Sequence, residues 1–263
     1  MEEIKKHYSK LVKWHLFIKV IPILILIAIL KFLFDKYGLE IITLNALFTS
    51  LIAGTIFLIG FVMNGVLSDY KESEKNPSEM AASLESLYDE IYILNKNKNT
   101  KLTNDFLKYY EEFLISIPLW FYKKEKTKNM LLKLQKMNEY FAELEPVMQA
   151  TFLNRMKAEQ SNLRKMILRV NNVRDLSFVQ SAYAILETLA FFIIIGFLIL
   201  KIGTIYEDII FTCLTSFFII YMILLIKDLD NPFEYTKKGE KEGTVVSIKP
   251  ILDLKERLIK SKK

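Results

Sequence analysis

The chain has 263 residues, of which 52% are hydrophobic and 25% charged, and its mean hydropathy is +0.22. An average this apolar excludes an ordinary soluble domain, while the charged share excludes a chain buried wholly in lipid. Eight Gly and six Pro are too few for an all-β or disordered chain, and one Cys excludes an internal disulfide framework and a thiolate metal cage.

Taken in chain order, residues 1–15 form a basic amphipathic segment. MEEIKK opens with two acids, and no small-residue cleavage site follows the first apolar run, so that run is expected to stay in the protein. The run covers 16–34 and carries Lys19 and Lys31 near its ends, where long side chains are expected to snorkel toward headgroups. Residues 41–67 carry no charge at all, and a bilayer core of about 30 Å needs only ~20 helical residues. Residues 177–200, interrupted by Glu187, and 209–226, ending at Lys227, complete four spans.

The spans fall into two pairs, 16–67 and 177–226, with helical residues 68–176 between them and a tail, 227–263, after them. An even number of spans places these parts on one side of the membrane. Lys5, Lys6, Lys10, Lys13, Lys19, Arg164, Lys165, Arg169, Arg174, Lys227, Lys237 and Lys238 flank spans there. The opposite connectors hold four acids, Asp35, Glu40, Glu207 and Asp208, against Lys36 and Lys201. The positive-inside rule makes the basic side cytoplasmic and predicts a multi-pass plasma-membrane protein with both termini inside.

In 68–176, Asn76 or Ser78 is the expected cap of a new helix whose apolar face is Leu84, Leu87, Tyr88, Ile91 and Leu94. A second helix is expected from Leu102 to Ile117, closed by Pro118, and a third from about Thr127 to Val170, broken near Pro146. No catalytic constellation is present. His7 and His15 share no metal motif, Cys213 lies in an apolar run, and the pairs Glu72/Glu74 and Glu111/Glu112 read as solvated helix faces. The basic runs Lys123–Lys128 and Lys255–Lys263 lack interleaved aromatics, which argues against nucleic acid and for anionic headgroups as partner. The chain is therefore not expected to be an enzyme or to carry a cofactor.

In the second span Thr49, Ala53, Phe57, Phe61, Asn64 and Ser68 recur at steps of three and four, on one helical face. The stripe is polar, then apolar, then polar. A ring of such helices would enclose a wetted pore with a hydrophobic constriction, whose aromatic ring edges present partial positive charge to an anion. Packing against neighbouring spans would produce the same periodicity, so spacing leaves both readings open.

From Ala53, AGTIFLIGFVMNGVLSDYKESEKNP resembles the pore-helix segment of bestrophins, and LDNPFEYTKKGEKEGTVVSIKPIL resembles the segment after their last span. The resemblance implies an all-α homopentameric ion channel with four transmembrane helices in two pairs and a helical cytoplasmic part. It places Ala53, Phe57 and Phe61 at the pore neck and Asn64, Tyr70 and Glu74 at or near polar and aromatic positions of bacterial members. Chloride is the favoured permeant ion. Ala53 is smaller than the family's neck residue, which would shorten or widen the constriction. The acidic run that binds calcium in eukaryotic members is thinned to Asp228, Asp230 and Glu234 among lysines, which argues against calcium regulation and leaves these three as the only metal-ligand candidates. Glu187, inside the third span, is a candidate functional acid because a charge there is costly. The alternative reading is a non-conducting scaffold or signalling protein whose cytoplasmic helices bind a partner.

Overall fold

A computed structural model describes residues 2–175, 180–235 and 244–260, with side chains described from 14 onward except at 180 and 260. Eight α-helices are present among them: α1 (Glu2–Lys36), α2 (Ala46–Lys98), α3 (Lys101–Phe121), α4 (Thr127–Leu144), α5 (Ala150–Asp175), α6 (Gln180–Ile199), α7 (Ile205–Leu229) and α8 (Lys249–Lys260). Two short strands, β1 (Ile42–Thr43) and β2 (Leu200–Lys201), pair in parallel. The chain divides into a unit of residues 1–70, 177–230 and 242–244, and a unit of residues 71–176, 231–241 and 245–263.

The first unit contains the apolar helices. Trp14–Lys36, the apolar part of α2, Ser181–Ile199 and Ile205–Leu229 are long and apolar enough to cross a membrane. The start of the expected third span, 177–179, lies outside the described residues. α1 packs along α7 and α6. Ile59, Val62 and Val66 of α2 join Leu186, Ile193 and Phe197 of α6 and Ile219, Ile223 and Ile226 of α7 in one buried cluster. Gly196 allows a close approach there: a Cβ would stand 2.4 Å from the Phe48 ring, which lies edge-on to Phe197 at 5.3 Å. α1 ends at Gly38, whose φ of 63° suits a residue without Cβ. The connector that follows donates the Ile41 N–H to the Ile199 carbonyl at 3.1 Å and pairs Ile42 with Leu200. The two connectors within the span pairs, expected only to be short, are thus tied to each other.

The second unit is a helical packet with an aromatic interior. The expected face Leu84, Leu87, Tyr88, Ile91 and Leu94 is buried. Phe106 stacks on Tyr140 at 4.8 Å and meets Phe141 edge-on. Buried Gln160 donates to the Leu134 carbonyl at 2.7 Å and to Asn138 Oδ1 at 3.0 Å.

Three expectations need correction. Asn76 and Ser78 do not open a helix: α2 runs unbroken through Pro77. Proline lacks the N–H that the Ser73 carbonyl would accept, a loss of up to ~3 kcal/mol in a helix interior. Burial of the apolar side chains Met80, Leu84 and Leu87 further along the same helix offsets it. Pro118 does not close α3, which continues to Phe121 because Trp120 and Phe121 are both fully buried. The break at Pro146 is present, as a short 3₁₀ turn at Glu145–Val147, and α5 extends beyond Val170 to Asp175. Finally, the segment after the last span is more than a tail. Its Phe233, Val246, Ile248, Ile251 and Leu254 are buried, and α8 packs against α3.

Candidate functional site

Thr49, Ala53, Phe57, Phe61, Asn64 and Ser68 are all exposed along α2. The opposite side of the helix is packed, with Thr55, Ile59, Val62 and Val66 each at most 3% accessible. Phe57 and Phe61 are 75% and 70% accessible. A Cβ at Gly54 or Gly60 would meet nothing within 4 Å, so the helix backbone is open there as well. Within the single chain, then, the stripe picked out by spacing contributes nothing to the core. Thr49 bonds only locally, donating to the Asn45 carbonyl at 3.1 Å.

Glu187 on α6 is half-exposed and ion-paired to Lys227 near the end of α7. A charge on an apolar helix is neutralised by the lysine that terminates the next span. Asp228 accepts the Thr244 hydroxyl at its carbonyl, 2.6 Å, and at Oδ2, 3.0 Å. Asp230 closes α7 as its C-cap, while Glu234 is exposed in the other unit. Among the described residues no three His, Cys, Asp or Glu side chains are grouped so as to hold a metal ion. His15 is exposed on α1, and His7 lies where side chains are not described.

The sequence reading missed a charge cluster in the first unit. Lys31, expected at the headgroups, is instead 1% exposed. Its ammonium donates to Glu40 Oε1 at 2.6 Å and to the Leu200 carbonyl, with Asp208 Oδ2 at 3.9 Å. The Glu40 and Asp208 side chains are 3% and 0% accessible. Asp208 Oδ1 accepts the N–H groups of Ile202 and Gly203 at 2.9 and 3.0 Å. Snorkelling is forgone because both connectors supply acceptors at the depth of Lys31, and a charge paired inside the unit avoids the lipid altogether. The available signal was a lysine one turn inside an apolar run whose two neighbouring connectors each hold an acid.

In the second unit the end of α3 is held by Arg174. Its guanidinium lies 4.8 Å from the Trp120 ring centroid and 5.5 Å from that of Phe121, and it donates to the Phe121 carbonyl at 2.9 Å. Burial pulls its pKa down to about 10. Trp120 Nε1 donates to Thr127 Oγ1 at 3.0 Å, which donates to Asn171 Oδ1 at 2.5 Å. These contacts join α3, α4 and α5 and are structural.

No protein-family model and no curated protein matches the sequence. Solved structures do match the fold. A bacterial bestrophin homologue from Klebsiella pneumoniae superposes with a TM-score of 0.73 at 12% identity, covering 92% of this chain and 97% of that one. One substituted form of that homologue gives a TM-score of 0.71 at 13% identity, covering 93% of this chain and 100% of its own. Another gives 0.73 at 13%, covering 93% and 99%. With four helices able to cross a bilayer and correspondence over nearly the full length of both chains, this protein is a membrane protein with the bestrophin fold.

Proposed function

We propose that the chain is one subunit of a homopentameric plasma-membrane channel for monovalent ions, with chloride favoured. In this reading the second spans line the pore. Ala53, Phe57 and Phe61 form its neck, Thr49 its outer wetted part, and Asn64 and Ser68 its inner part. Both termini and residues 68–176 face the cytoplasm, following the lysine and arginine bias.

The observation that carries the reading is the unpacked stripe on α2: two phenylalanines at least 70% accessible, flanked along the same face by Thr49 and Asn64, on a helix buried on its other side at Thr55, Ile59, Val62 and Val66. Lipid would accept the phenylalanines but gains nothing from Thr49, Asn64 and Ser68. A water-filled axis accommodates the polar ends and is closed by the aromatic middle through dewetting. Chloride is favoured because ring edges carry partial positive charge and the whole chain has a formal net charge of +6.

The test is ion flux in liposomes, with the subunit count measured in detergent. Five subunits and chloride flux that rises in the Phe57→Ala/Phe61→Ala double variant are the expected results. A dimer, or no flux above empty liposomes from either form, would overturn the channel reading and leave the membrane scaffold as the better account.

A further inference from the structure

The second unit contains a cavity of about 740 Å³ between α2 and α5, lined by Glu72, Lys75, Asn76 and Glu79 from one helix and by Lys165 and Arg169 from the other. Its volume lies within the roughly 300–1,000 Å³ range of small-molecule sites. It is too large for a halide alone, and Met166 and Leu168 add apolar wall for an organic group.

The charges are unevenly satisfied. Arg169 is ion-paired with Glu72, whereas among the described residues neither Lys75 nor Lys165 has an ion-pair partner. Two lysines therefore face the single remaining acid, Glu79, and the cavity carries a surplus positive charge. Asn76 supplies the second, independent observation. It is 2% accessible, and its Oδ1 and Nδ2 both lack a hydrogen-bond partner. A buried polar group without a partner is unfavourable, because it gave up its hydrogen bonds to water. The next residue is Pro77, which cannot give an N–H to the Ser73 carbonyl one turn back. Unmet hydrogen bonding and unmet positive charge thus coincide on one wall.

We infer that this cavity binds a phosphate ester of a small polyol. The phosphate lies between Lys75 and Lys165, whose ammonium groups act as point charges, and the ester's hydroxyls exchange hydrogen bonds with the Asn76 amide. Glycerol phosphate is the simplest such group. It occurs both as a soluble metabolite and as the head of a phospholipid. The site stands apart from the channel reading, because its readout is binding and not flux.

The test uses the full chain in detergent, titrated calorimetrically with glycerol phosphate and, as a comparison, with inorganic phosphate. Saturable binding of glycerol phosphate, tighter than that of inorganic phosphate and weakened at least tenfold in the Lys75→Gln/Lys165→Gln variant, supports a soluble ligand. In nanodiscs containing phosphatidylglycerol, retention of that lipid by the native protein but not by the double variant, read by native mass spectrometry, supports the lipid source. Both lysines are exposed, so an unchanged melting temperature should accompany the variant. The Asn76→Ala variant is expected to weaken binding several-fold at equal positive charge. No saturable binding of glycerol phosphate together with no selective retention of phosphatidylglycerol, or equal binding by the double variant in both assays, would overturn the inference.

Discussion

The two units solve opposite problems. The unit with the apolar helices hides a lysine and two acids and leaves Phe57 and Phe61 in the open. The helical unit hides its aromatics, Phe106, Tyr110, Phe113, Trp120 and Phe121, and leaves most of its charges outside. In water, burying aromatic area is the main source of stability. Between lipid-facing helices that drive is absent, so specificity comes from polar contacts and close packing. The Lys31 cluster and the Gly196–Phe48 contact are such features.

Breaking this contrast gives the largest expected effects. Lys31→Met leaves Asp208 buried without a counter-charge and Glu40 with only Lys201, 3.9 Å away, and should cost about 3–5 kcal/mol, whereas Lys31→Met/Glu40→Gln/Asp208→Asn should recover most of it. Chemical unfolding of the three proteins measures this, and equal loss in the single and triple variants would refute the cluster as a paired unit. In the helical unit Trp120→Ala should cost a similar 3–5 kcal/mol by leaving a cavity and freeing Arg174. That loss should appear in unfolding of the helical packet.

Smaller effects sharpen the contrast. Thr100 caps α3, accepting the Thr103 N–H at 3.3 Å while its own N–H donates to Thr103 Oγ1 at 3.1 Å. Thr100→Ala should lower stability by about 1 kcal/mol, read from the unfolding midpoint. Burial pushes the Tyr109 phenol from 10.0 up to about 12, and its hydroxyl donates to the Lys133 carbonyl at 2.6 Å. A raised phenol pKa means the folded state holds the proton more firmly. Its contribution is complete below pH 10 and is lost as the pH rises to about 12. Tyr109→Phe should therefore flatten the decline of stability across that window, and an unchanged slope would count against it. The smallest change in stability, within about 0.5 kcal/mol, is expected for Phe57→Ala/Phe61→Ala, since neither ring supports the core. A large destabilisation there would mean that the rings pack within the subunit.

Much of this organisation is legible in local patterns. That the run 41–67 holds a span can be read without a partner, because the bilayer's thickness fixes the length required; its first residues, 41–45, lie outside α2, with Ile42 and Thr43 in β1. The face Leu84, Leu87, Tyr88, Ile91 and Leu94 follows from the helical period alone, and so does the stripe from Thr49 to Ser68. Proline misled twice. Pro77 and Pro118 are local breakers, but the burial of Met80 on one side and of Trp120 and Phe121 on the other outweighs one lost hydrogen bond. Spacing could not place Lys31, since Glu40 in one connector and Asp208 in the first turn of α7 are far apart in the chain. Nor could it show that Phe233, Ile248 and Ile251 dock, because short segments such as α8 are fixed by what they touch.

Sequence by itself determined the four apolar helices, their pairing, the helical character of the rest and the shared face of Thr49 to Ser68, because these depend on composition and period; that this face is exposed in the chain only the tertiary structure decided. Tertiary structure decided that α2 continues through Pro77, that Lys31 is paired inside the unit, and that Lys75, Asn76, Lys165 and Arg169 line one cavity. The physical reason is the same for all three. A buried charge, an interrupted helix or an unsatisfied amide is costly alone, and only the elements folded around it set the net free energy.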